Sequence, residues 1–313
     1  MNPPRLGPVL GGTLNVPDLA ASVAAYGEEL DLAVHHEGAV GAADAEAWGC
    51  PALAGAPQAW LANALGEPWL RLVQGGARSF RPFRDAGWLA LEISVESANR
   101  LGERLGGGAF EVIGPPRDLD VSDRIRALQV TGLAGEVLYL TRVAGEVPPF
   151  ELPRARCAVD RLFIPVLLTP DREASLAFYE RLCGQAGLRF ETLITVLNRA
   201  RGWPEDRRHP VATLQLAGAT LIEMDEVGEL PPRSADEAGL PPGIAMISMA
   251  VAELPPDTPG RTLADGPWAG RRAARVAGAA GEWIELIEGN DLSTNSKPTN
   301  LKPTNPKPPE EDP

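Results

Sequence analysis

The chain has 313 residues, 44% of them hydrophobic, and a formal net charge of −13. That length supplies a sizeable core and points to two domains, while the acidic balance disfavours binding to nucleic acid or an anionic membrane surface. No apolar run reaches the roughly 18 residues of a membrane span. The N-terminus lacks the charged-then-apolar pattern of a signal peptide, and Cys50, Cys157 and Cys183 lie too far apart for a zinc knuckle. A cytoplasmic protein is expected, and the composition sets no oligomeric state.

In chain order, Val9 to Val16 reads as a strand that runs through Pro17-Asp18 into a helix over Leu19 to Leu30. Strands are expected at Leu32 to Glu37, Ala56 to Ala64 and Trp69 to Val73, with Gly66 marking the turn before the last. A second unit opens at Trp88 to Val95, continues into a helix from an N-capping Ser97 to Leu105, and stops at three glycines. Its strands are Phe110 to Ile113, Ala127 to Thr131 and Val137 to Leu140. Residues 146–158 are proline-containing and read as a linker. A third unit spans Asp160 to Val227, with its fourth strand at Thr220 to Met224. A fourth spans Ile244 to Glu288 and closes on Trp283 to Ile287, its helix interrupted by Pro255, Pro256 and Pro259. The tail, 291–313, repeats Lys-Pro-Thr-Asn without apolar periodicity and is expected to be disordered.

The two halves repeat. Asp18, Ser22 and Tyr26 recur as Asp171, Ser175 and Tyr179, an offset of 153 residues (171 − 18). In each copy the aspartate suits a helix N-cap, and the serine and tyrosine at i+4 and i+8 share one helical face. Arg71 recurs as Glu223 and Tyr139 as Glu285. Gly66, Gly135, Gly218 and Gly281 hold matching places before them. The expectation is an α+β protein of four βαβββ modules. Consecutive modules are expected to pair into two mixed-sheet domains, residues 9–145 and 159–290.

A strand running through Pro-Asp into a short amphipathic helix, in a duplicated βαβββ frame, resembles the vicinal oxygen chelate superfamily. That superfamily holds glyoxalase I, extradiol dioxygenases and bleomycin-resistance proteins. The resemblance implies paired modules curved around a cleft, with metal ligands, where present, on the first and fourth strands of each module. Here those positions fall near Gly11, Ala90, Ile164 and Met246 and at Arg71, Tyr139, Glu223 and Glu285. No histidine is among them, so no metal or other cofactor is expected. If a divalent metal binds, Glu223 and Glu285 are its ligands. Glu92, two residues after Ala90, faces the same side of its strand.

The expected ligand site lies in the first half. Arg71 meets an anionic group, Tyr139 donates a hydrogen bond, and Trp69 or Trp88 forms an apolar wall. Glu92 is the expected acidic neighbour of Arg71, while Arg126 and Gln129 add polar contacts. Three readings of function stand side by side. One is metal-free binding of a small oxygen-rich or acidic molecule. The second is a metal-dependent lyase, isomerase or dioxygenase, and the third a scaffold with filled clefts. No catalytic residue is assigned. His35 and His36 point to opposite strand faces, and His209 reads as structural.

Overall fold

The computed structural model describes residues 5–76, 81–232 and 239–289. The expected disorder of 291–313 lies outside these residues. Four βαβββ-like modules follow one another. The first is β1 (Leu6–Val16), α1 (Leu19–Leu30), β2 (Ala33–Ala39), a short α2 (Ala42–Ala47), β3 (Pro57–Ala62) and β4 (Pro68–Gln74). The second is β5 (Gly87–Val95), α3 (Ala98–Arg104), β6 (Glu111–Leu119), β7 (Ser122–Thr131) and β8 (Val137–Val143). The third is β9 (Val159–Thr169), α4 (Arg172–Cys183), β10 (Leu188–Leu193), α5 (Thr195–Arg201), β11 (Arg208–Leu216) and β12 (Thr220–Glu226). The fourth is β13 (Gly243–Val251), β14 (Arg261–Thr262), β15 (Arg272–Ala277) and β16 (Trp283–Glu288). It has no helix after its first strand, where prolines 255, 256 and 259 stand.

The repeated signature folds as its chemistry requires. Asp18 and Asp171 cap α1 and α4, accepting from Ala21 N at 3.0 Å and Ala174 N at 2.9 Å. Tyr26 and Tyr179 are buried on the inner faces of those helices. Each donates to a buried glutamate, Tyr26 to Glu136 at 2.8 Å and Tyr179 to Glu282 at 2.7 Å. Each glutamate also accepts from its own hairpin turn, at Ala134 N and Ala280 N. Gly135 and Gly281 in those turns hold φ of 78° and 81°, a conformation that favours glycine.

The modules do not pair in sequence order. One sheet runs β14-β15-β16-β13-β1-β4-β3-β2 and the other β10-β11-β12-β9-β5-β8-β7-β6. Module one therefore joins module four through antiparallel β1 and β13, and module two joins module three through β5 and β9. This corrects the expected pairing of consecutive modules into domains 9–145 and 159–290. Each module presents the edge of its first strand, and hydrophobic patterning does not choose which other module takes that edge. The helix-side faces of both sheets share one core, in which α1 and α4 place Tyr26, Leu30, Leu176 and Tyr179. The two Tyr–Glu bonds cross from a helix of one sheet to a turn of the other. The opposite face of each sheet forms a cleft.

Candidate functional site

The clefts are duplicates with different contents. In the sheet of modules one and four, Arg71 is only 4% exposed. Its Nε and Nη2 donate to Gln58 Oε1 at 2.8 and 2.5 Å, and its guanidinium lies 4.4 Å from the Trp48 ring centroid. Arg261 donates to Asp44 at 2.7 Å and to Glu285 at 2.7 Å, and Ser248 donates to Glu285 at 2.9 Å. Trp268 packs edge-on against Trp60, with ring centroids 4.8 Å apart. These side chains leave ≈ 10 Å³ of space. The expected partnership of Arg71 with Glu92 is corrected, because Glu92 belongs to the other sheet. The acids near Arg71 are Asp44, 3.9 Å away on α2, Glu285 and Asp265. The sequence reading missed α2, six residues whose alanines and acids carry no long apolar period.

In the sheet of modules two and three, the cleft encloses a cavity of ≈ 110 Å³. Its floor is a polar row running across the strands. Gln129 on β7 pairs with Tyr139 on β8, Tyr139 with Glu92 on β5, and Glu92 with Ile164 on β9. Glu223 on β12 pairs with Thr213 on β11. Ile125, Phe163, Phe190 and Val196 form apolar walls, and Arg117 of β6 lines one side. Phe150 and Leu152, in the stretch read as a linker, close over it. The hydroxyls of Tyr139 and Thr213 are buried and have no hydrogen-bond partner among the described residues. Burial pushes the Glu92 carboxyl up to about 8, with Glu223 adding to the effect, and burial pushes Glu223 up to about 7. Asp225, behind Glu223 on the same strand, is fully buried and held well above the ordinary carboxylate range by that burial and then by Glu223. Neighbouring acids without a facing cation keep protons between them.

The structure thus brings together Glu92, Gln129 and Tyr139, and adds Glu223. It separates them from Arg71. Trp69 and Trp88 are buried in the core between the sheets, not in a cleft wall, and Trp88 Nε1 donates to Trp283 O at 2.8 Å. β4 breaks register with β3 between Leu61 and Ala62, and β5 breaks register with β9 between Trp88 and Ala90, so strict alternation fails at both tryptophans. Arg126 is also outside the cavity, bonded to Asn99 Oδ1 and Asp118 at 2.8 Å each. It lies three residues from Gln129, an odd spacing that puts the two on opposite faces of β7. The same parity identifies Ile125 as a wall residue. Arg117 and Phe150 carried no comparable signal. His209 is buried, holds Asn198 Oδ1 at 2.7 Å, and has its pKa lowered to about 4 by burial and then by Arg207. It is a structural histidine outside the cavity lining.

Glu223 and Glu285 lie in different sheets, so they cannot share one metal ion. Gly11, the nominal first-strand position of module one, has the Trp69 carbonyl where a Cβ would stand, so no ligating side chain fits there. In the cavity, two floor carboxyls stand with Tyr139 and the apolar Ile164. Among the described residues no three of His, Cys, Asp and Glu are grouped to hold an ion. This donor set does not fit a chelated divalent metal.

By sequence the chain matches no family model and no curated protein. Its structure is similar to glyoxalase I from Zea mays, at 15% identity and a TM-score of 0.58, covering 90% of this chain and 92% of that one. It is also similar to a putative dioxygenase from Bacillus subtilis, at 11% identity and a TM-score of 0.57, covering 92% of this chain and 86% of that one. The fold is an α+β, glyoxalase-like one. The chain carries it as four modules in two mixed eight-stranded sheets.

Proposed function

We propose that this protein binds a small organic molecule, without a chelated metal, in the cavity of the β5–β12 sheet. The observation that carries the reading is the pair of buried, unpartnered hydroxyls, Tyr139 and Thr213, on the floor of an otherwise largely apolar cavity of ≈ 110 Å³. A buried hydroxyl without a partner is costly unless something meets it. A few convergent polar groups in an apolar concavity are the usual make-up of a ligand site. The ligand has an apolar body against Phe163 and Phe190 and a hydrogen-bonding end on the floor. Arg71, the anchor expected from sequence, has no part in this site, since its own cleft is filled. We also place the protein in the cytoplasm, a reading supported by a chain with few and widely spaced cysteines.

The test is mass spectrometry of small molecules released on denaturing the purified protein, with an Ile194→Trp variant that fills the cavity in parallel. A molecule carried by the wild type and lost in the variant is the expected result. If nothing is released, and a panel of small molecules shifts the melting temperatures of both proteins equally, the cavity is not a binding site.

A further inference from the structure

We propose that the polar end of the ligand is an organic cation, an ammonium or guanidinium on an apolar body, received by Glu92 and Glu223. The inference rests on the cavity being a ligand site and names the chemistry that the site takes.

The filled cleft is an internal template. By the duplication and by strand register, Glu285 stands where the cavity has Tyr139, Ser248 where it has Glu92, and Arg71 where it has Glu223. Arg261, opposite Ala273, corresponds to Arg117, opposite Ala127. In the filled copy, Asp44 and Glu285 hold the guanidinium of Arg261 between them, 2.7 Å from each. The Arg71 guanidinium stacks beside it on Trp48. The floor acid of that copy is therefore satisfied by cations that the chain itself supplies.

The second copy reverses this balance. Glu223 replaces the arginine, Glu92 replaces the serine, and Asp225 stands behind. Arg117, the one cation lining the cavity, makes no ion pair among the described residues, whereas Asp120 at the mouth is bonded to Arg208 at 2.8 Å. An acidic ligand end would meet two carboxyl groups on the floor. A divalent metal would lack a third ligand in the cavity, because Asp225 does not line it and no three acids or histidines among the described residues are grouped to hold an ion. An ammonium instead displaces the protons that Glu92 and Glu223 hold between them and donates to both carboxylates, and the Tyr139 and Thr213 hydroxyls have oxygens free to accept. Aromatic walls at Phe163 and Phe190 suit the body of such a cation. The volume is below the roughly 150 Å³ of an apolar cavity that takes benzene, so a ring with a short charged arm enters with its arm on the floor and its ring only partly inside the enclosed space.

The test is isothermal titration calorimetry of the full chain at neutral pH with benzylamine, benzyl alcohol and benzoate. These probes share a ring and differ in the charge of the arm. Benzylamine should bind at least tenfold more tightly than benzyl alcohol, and Glu92→Gln with Glu223→Gln should abolish that advantage while leaving the alcohol bound. The amine-to-alcohol ratio in the unaltered protein is decisive even if the double variant does not fold. Benzoate binding as tightly as benzylamine, with loss in Arg117→Ala, overturns the cation and leaves the cavity as an anion site. An unchanged amine preference in the folded double variant also overturns it. Failure of all three probes to bind removes both the cation and the cavity reading.

Discussion

Burial of Glu92 and Glu223 close to each other has a consequence for stability. Their carboxyls are pushed up to about 8 and about 7 in the folded protein, against 4.5 for an ordinary glutamate. Between these values the folded chain holds protons that the unfolded chain has released. Stability from this source is therefore full below the ordinary glutamate value and is lost as pH rises through the folded values. The slope is up to about 1.4 kcal/mol per pH unit for each group. Urea midpoints across this window should fall with pH more steeply in the wild type than in Glu92→Gln/Glu223→Gln. Parallel curves would show that neither carboxyl holds its proton. Arg71 makes the opposite case, as a buried cation satisfied by Gln58, Asp44 and Trp48. Arg71→Ala should cost roughly 3–5 kcal/mol, the usual loss on breaking a buried charge network. Ligand affinity at the other cleft should be unchanged in the folded fraction. A neutral effect on chemical denaturation would mean that the network relaxes around the gap.

At the scale of elements, the duplicated helices are each held at the N-terminus and through a tyrosine in the body of the helix. Their N-termini are capped by Asp18 and Asp171, and either aspartate changed to alanine should cost about 1 kcal/mol. Their tyrosines reach across to the turn of the opposite sheet. Tyr179→Phe removes the Glu282 bond and leaves a buried carboxyl with one donor fewer, so the cost should be roughly 1–3 kcal/mol. Tyr26→Phe should behave alike, because Glu136 is held in the same way. A melting temperature that does not move in either variant would show that the cross-sheet bonds contribute nothing. The caps and the repeated tyrosines were legible in sequence because Asp, Ser and Tyr at i, i+4 and i+8 constrain a single helix. The glutamates that receive the tyrosines were not legible, since they lie 110 and 103 residues away.

For the whole molecule, the pairing of first module with fourth and second with third makes each sheet depend on both halves of the chain. A fragment of residues 1–145 has β1 without β13 and β5 without β9. Its two first strands expose unpaired edges and a bare apolar face, a state prone to association. Light scattering and circular dichroism of this fragment should show an unfolded chain or an oligomer. A folded monomer would mean that modules one and two can pair with each other after all.

The sequence by itself determined the module order, the caps, the turn glycines and the duplication, because each is written in residues close together along the chain. It also placed Glu92, Gln129 and Tyr139 on cleft-facing strands, because alternation is a local rule. Only the tertiary structure decided which modules share a sheet, and hence that Glu92 faces Glu223 while Arg71 faces Asp44 and Glu285. Two strand edges of similar composition are equivalent until the chain closes. The register breaks that turn Trp69 and Trp88 inward, and the closing of one cleft by Arg71 and Arg261, arise from contacts across the sheets. Local pattern does not encode them.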